Sequence, residues 1–159
     1  MDDYGNSPVT ADAATQLKQL ADSLLERRRH IEAALTYAEG THTFDDIVRM
    51  VITGRLMWWP LERGFMVTEI VEYPRTKQLN VFLAGGDLDE IRDMQEQLVM
   101  VAKLAGCTAL SLSGRRGWVK ALTQLGWKES HTAVVFNIPA ENTDAENTDA
   151  ENTGEKADG

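Results

Sequence analysis

Phe65-Met-Val-Thr-Glu-Ile-Val-Glu-Tyr73, Pro74-Arg-Thr-Lys77 and Gln78-Leu-Asn-Val-Phe-Leu-Ala84 follow one another directly, and Gly85-Gly86 closes the run. In the first segment Phe65, Val67, Glu69, Val71 and Tyr73 alternate with Met66, Thr68, Ile70 and Glu72, the period of a strand with two different faces. Pro74–Lys77 is turn chemistry, so Gln78–Ala84 returns antiparallel. After Gly86 the period changes. Asp87 or Asp89 caps a helix running to about Ala105, with Ile91, Met94, Leu98, Val101 and Ala102 on one face. Thr108–Leu112 then reads as a short buried strand, Gly117–Leu125 as a helix and Thr132–Ile138 as a β-branched final strand.

Upstream, Leu56-Met-Trp-Trp-Pro-Leu61 is strand-like, but Pro60 lacks a ladder donor and assigns it to an edge or a bulge. A helix begins at Thr43 with Asp45 and Asp46 in its first turn, carries Phe44, Ile47, Val48 and Val51 on one face and ends at Gly54. From about Asp12 to Ala38, Leu17, Leu24, Ile31 and Ala38 recur every seven residues, and Gly40 stops the helix. That stripe packs on the protein's own sheet or, alternatively, seams with another chain, against which Arg27 and Arg28 in mid-helix argue. The order is helix, helix, three-strand meander, helix, strand, helix, strand. This predicts an α/β (α+β) domain with a mixed, mostly antiparallel sheet and helices on both faces.

The chain has 159 residues and a net charge of −9. Residues 140–159 contain seven acids and one base, leaving only −3 for residues 1–139. That near-balance gives no basic surface for nucleic acid. The repeated Ala-Glu-Asn-Thr segments have no aliphatic side chain larger than alanine and are expected to be disordered. We therefore expect a loose leader at 1–10, a single domain at 11–139 and an acidic tail at 140–159. One cysteine, Cys107, fits a reducing compartment and a core position. Without a signal-like N-terminus or a span-length apolar run, the expected location is the cytoplasm, without membrane contact. His30, His42 and His131 show no metal-ligand spacing, so no metal is expected.

The element order from Thr43 to Ile138 resembles the GNAT N-acetyltransferase family. The best local match is Gly114–Glu129, where Ala121, Leu125, Gly126 and Trp127 fill the places of a small residue and Leu-Gly-Phe. The resemblance implies a cofactor loop of the form Gln/Arg-x-x-Gly-x-Gly/Ala, which corresponds here to Leu83–Glu90. Its glycines, Gly85 and Gly86, are adjacent, its basic or amide residue is missing, and Asp87, Asp89 and Glu90 crowd the helix start. The position of the family's tyrosine acid is Leu122, which donates no proton. The expectation is a degenerate GNAT-like domain with no catalytic residue and no cofactor.

The chain is also similar to GNAT-like proteins of tailed-phage structural modules, of the podovirus internal virion type. This implies a catalytically inactive, virion-associated structural component working through protein partners: other virion proteins, or a second copy through the first helix. The alternatives are a divergent acyltransferase using acetyl-CoA at Gly85 and Gly86 with water or Tyr73 replacing the missing acid, and a small phage-encoded adaptor or inhibitor. Trp58 and Trp59 are partner-binding candidates. On a strand they face opposite ways, so at most one points into the core and the other is covered by the first helix or anchors a partner. Arg115 and Arg116 are the other candidates, because cations at a helix start suit an anionic partner.

Overall fold

The computed structural model describes residues 8–131 and 133–141. The expected leader and repeat tail lie largely outside them. The described chain divides into a compact unit ending at Lys128 and a second unit from Glu129.

The compact unit is built on a four-stranded sheet of order β1-β2-β3-β4: β1 Met57–Pro60, β2 Gly64–Tyr73, β3 Thr76–Gly86 and β4 Ala109–Leu112. The β1–β2 and β2–β3 pairs are antiparallel, and β3–β4 is parallel. Pro60 sits at the end of the edge strand, where its missing N–H costs no ladder bond. β2 splits the core in two, as its alternation requires. Phe65 and Val67 pack with Leu24, Ile31, Leu35, Phe44 and Ile47 from α1 (Pro8–Glu26), α2 (Arg28–Leu35) and α3 (Phe44–Ile52). Met66 on the other face packs with Leu79, Val81, Ile91, Leu98 and Ala102, the last three from α4 (Leu88–Asp93) and α5 (Gln95–Leu104). α6 (Arg116–Thr123) joins that second core through Trp118.

Three expectations change. The first helix begins at Pro8 and breaks at Arg27, which has φ −104° and ψ 11°. The Arg27 guanidinium donates to the carbonyls of Leu61 (3.0 and 3.1 Å) and Gly64 (3.2 Å), clasping the β1–β2 turn from mid-helix. This contact draws the break to a residue that sequence periodicity treats as helix interior. The helix after Gly86 is also two pieces, with a tightened turn at Met94. Finally, residues 133–138 form no strand. Val134, Phe136 and Ile138 are 91%, 85% and 87% exposed. β-propensity reports a fit to a pleated, half-buried surface, and these side chains pack on none.

The seven-residue stripe packs inward at Leu24 and Ile31, while Leu17 remains half exposed. Thr43 caps α3 as expected, and Asp46 completes a capping box by accepting from the Thr43 N–H at 2.9 Å.

Candidate functional site

β3 outruns its parallel neighbour. Val81 pairs with Leu112, the last residue of β4, and β3 continues through Phe82 to Gly86 beside β2 only. At that level a bulge inserts Phe82, because Val67 faces Leu83 while Thr68 faces Val81. The two parallel strands thus part at their carboxyl ends, the place where open α/β sheets offer a crevice.

An open cleft of about 320 Å³ lies on this side, lined by the exposed side chains of His30, Thr36 and Tyr37 from α2 and the turn after it, by Gly85 and Gly86, and by the exposed Arg115. The Arg115 guanidinium lies 3.8 Å from the centroid of the Tyr37 ring. Arg115 is the N-cap residue of α6. That helix is seated by Trp118 in the core and by Gln95, which accepts from the Trp127 indole at 2.8 Å and donates to the Leu125 carbonyl. Thr36 spends its hydroxyl proton on the Ala33 carbonyl.

The junction between β3 and α4, where the resemblance expects a pyrophosphate, is already satisfied from within. Asp87 accepts from the N–H groups of Asp89 at 2.9 Å and Glu90 at 3.3 Å, and pairs with Arg63 at 3.3 Å. Its own N–H donates to the Arg63 carbonyl. Glu90 reaches back to accept from the backbone N–H groups of Glu62 and Arg63. The glycines have packing reasons. A Cβ on Gly85 would stand 2.9 Å from the Phe65 ring and 3.3 Å from the His30 carbonyl. A Cβ on Gly86, at φ +101°, would stand 2.3 Å from the Arg63 carbonyl oxygen. The junction does not fit a pyrophosphate: its glycines admit neighbouring protein, and its helix start holds carboxylates where an anion would go.

The remaining candidates are dispersed. Trp58 is half-buried, stacks on Phe65 with centroids 5.7 Å apart, and donates to Ser23 Oγ at 3.0 Å. Trp59 is half-buried on the opposite face and donates to Thr68 Oγ1 at 2.9 Å. Both indoles are thus spent within the fold. Arg116 is exposed on α6. Tyr73 pairs with Thr76 at one end of the β2–β3 ladder, while Gly64 pairs with Gly86 at the other. The ten-residue strand between them spans about 30 Å, so Tyr73 does not serve chemistry at the Gly86 end. Leu122 is buried and lines a small apolar cavity with Met66, Val81 and Ile91. His42 sits edge-on to Phe82 at 5.0 Å. Cys107 is buried, and among the described residues no acidic, His or Cys cluster has metal-binding geometry. No helix among the described residues is long and apolar enough to cross a membrane.

Sequence reasoning missed Tyr37 and the cavity role of His30. The available signal was their seven-residue spacing, which puts both on one helical face.

No protein-family model and no curated protein matches the chain. Solved structures do match its fold. A predicted acetyltransferase from Clostridium acetobutylicum, crystallised with acetyl-CoA, aligns with a TM-score of 0.54 at 12% identity, covering 76% of this chain and 91% of that one. An acetyltransferase from Trypanosoma brucei aligns at 0.51 with 10% identity, covering 71% and 94%. A possible acetyltransferase from Clostridium difficile aligns at 0.50 with 8% identity, covering 76% and 93%. The fold is GNAT-like, as the order of elements implies.

Proposed function

We propose that this chain is a catalytically silent GNAT-like module that acts by binding, as a virion-associated accessory component working through protein partners. The observation that carries the silent reading is the carboxylate-sealed junction. Asp87 and Glu90 take the backbone N–H groups of Asp89, Glu90, Glu62 and Arg63, and a pyrophosphate would have to displace both against their negative charge. Leu122 in place of an acid and the remoteness of Tyr73 point the same way. The phage setting rests on the resemblance to internal virion proteins: a long leading helix, no catalytic tyrosine and a low-complexity acidic repeat tail. For self-association through the first helix, α1 offers Leu17 and Leu25, which are 48% and 55% exposed.

One observation favours the acyltransferase alternative. An imidazole (His30) and a phenol (Tyr37) share the cavity beside Gly85, and such groups can move protons. Calorimetric titration with acetyl-CoA and with CoA decides between the two. Absence of heat at saturating ligand supports the silent module, and co-purification with a larger assembly then supports its structural role. Micromolar binding by the wild-type chain sinks the silent reading, because the carboxylates would not be guarding the site.

A further inference from the structure

Among the described residues no acid lines the cavity between α2, the end of β3 and the start of α6. Its charged or chargeable groups are Arg115 and His30, and its walls are Tyr37, alanine side chains and the Gly85–Gly86 backbone. The Tyr37 ring covers one face of the Arg115 guanidinium at 3.8 Å. Stacking uses the face of the cation and leaves its N–H edge for an in-plane acceptor. No carboxylate among the described residues pairs with Arg115.

We propose that this cavity is a binding site for a small organic carboxylate, gripped by the Arg115 guanidinium that Tyr37 holds in orientation. A carboxylate matches one guanidinium edge with two parallel hydrogen bonds. The His30 imidazole supplies a further N–H, and the alanine walls accept a short aliphatic portion. The volume falls at the lower end of the range for small-molecule sites. The proposal deepens the reading of the chain as a binding module and rests on it. The carboxylate belongs either to a free metabolite or to a side chain of a polypeptide, and the test separates these sources.

The full chain is titrated with glutarate, with its neutral diamide glutaramide and with the capped peptide Ac-Ala-Glu-Ala-NH2, reading the backbone amide resonances of His30, Tyr37, Gly85 and Gly86. The expected result is a saturable shift with glutarate or the peptide, none with glutaramide, and a loss of affinity of about tenfold or more in Arg115→Gln. Tyr37→Leu weakens binding and Arg115→Lys recovers part of it, since Lys restores the charge without the fork. Whichever of glutarate and peptide binds the tighter names the source. Shifts that glutaramide reproduces, shifts that survive Arg115→Gln, or no shift with either carboxylate overturn the site. Acetyl-CoA is titrated separately and read at Asp89 and Glu90, which do not line the cavity. A response there overturns the silent reading without altering the carboxylate result.

Discussion

The carboxylate of Glu90 accepts the backbone N–H of Arg63 at 3.0 Å, across the gap between the first turn of α4 and the β1–β2 turn. The same carboxylate takes the N–H of Glu62, so one side chain satisfies two donors of a tight turn. Glu90→Ala removes the acceptor for both at an exposed turn and should lower unfolding stability by about 0.5–1.5 kcal/mol. Glu90→Gln keeps one acceptor oxygen and should lose less. Urea unfolding of the two variants checks the order. Equal stability of wild type and Glu90→Ala would mean that water replaces the carboxylate at no cost.

Glycine substitutions should separate sharply by position. Gly86→Ala places a Cβ 2.3 Å from the Arg63 carbonyl oxygen and 2.4 Å from Gly64 Cα at φ +101°, so the end of the β2–β3 ladder must open. A loss of more than about 3 kcal/mol is expected, beyond the range of ordinary substitutions. Gly117→Ala meets nothing within 4 Å inside α6 and should stabilise by about 0.5–1 kcal/mol. Thermal melts of both variants test the contrast, and a Gly86→Ala protein as stable as wild type would refute the close approach.

The capping box gives a pH dependence of known sign. The Thr43 N–H and hydroxyl bonded to Asp46 hold its carboxyl below the ordinary carboxylate value. A depressed folded pKa means that the unfolded chain binds the proton more readily. The contribution is therefore fully present above the unfolded pKa and is lost as pH falls through the folded value. Urea midpoints measured from neutral pH down to pH 3 should fall less steeply for Asp46→Asn than for wild type. Identical slopes would remove Asp46 from the acid response.

Much of this was legible from local chemistry. Thr43 and its acids announced a capped helix, Pro60 announced an edge, and Asp87, Asp89 and Glu90 after the paired glycines announced a sealed helix start. What escaped was long-range. Nothing near Arg27 in sequence marks a helix break, because its cause is the carbonyl groups of Leu61 and Gly64. Tyr37 and Arg115 belong to different local patterns and meet only when α2 and α6 are both seated on the sheet. Residues 133–138 carry strand composition without the packing surface that composition presupposes. Phe136→Ser, at a position 85% exposed, should accordingly change the unfolding midpoint by no more than about 0.5 kcal/mol equivalent.

Arg27 offers the sharpest test of why the first helix bends. Its guanidinium donates three bonds to the Leu61 and Gly64 carbonyls and one to the Ser23 carbonyl, at distances of 3.0–3.2 Å, while its side chain is only 20% exposed. Hydrogen bonds to a charged donor are worth about 1.5–3 kcal/mol, and removing the donor also leaves part-buried carbonyls without a partner. Arg27→Met, which preserves much of the stem, should therefore cost about 2–4 kcal/mol, within the range for broken buried polar networks. Arg27→Lys should recover only part of this, because an ammonium does not span both carbonyls as the planar fork does. Chemical denaturation gives the energies, and amide exchange at Leu61 and Gly64 locates the effect at the turn. A stable Arg27→Met variant with a protected turn would leave the break at Arg27 without its cause.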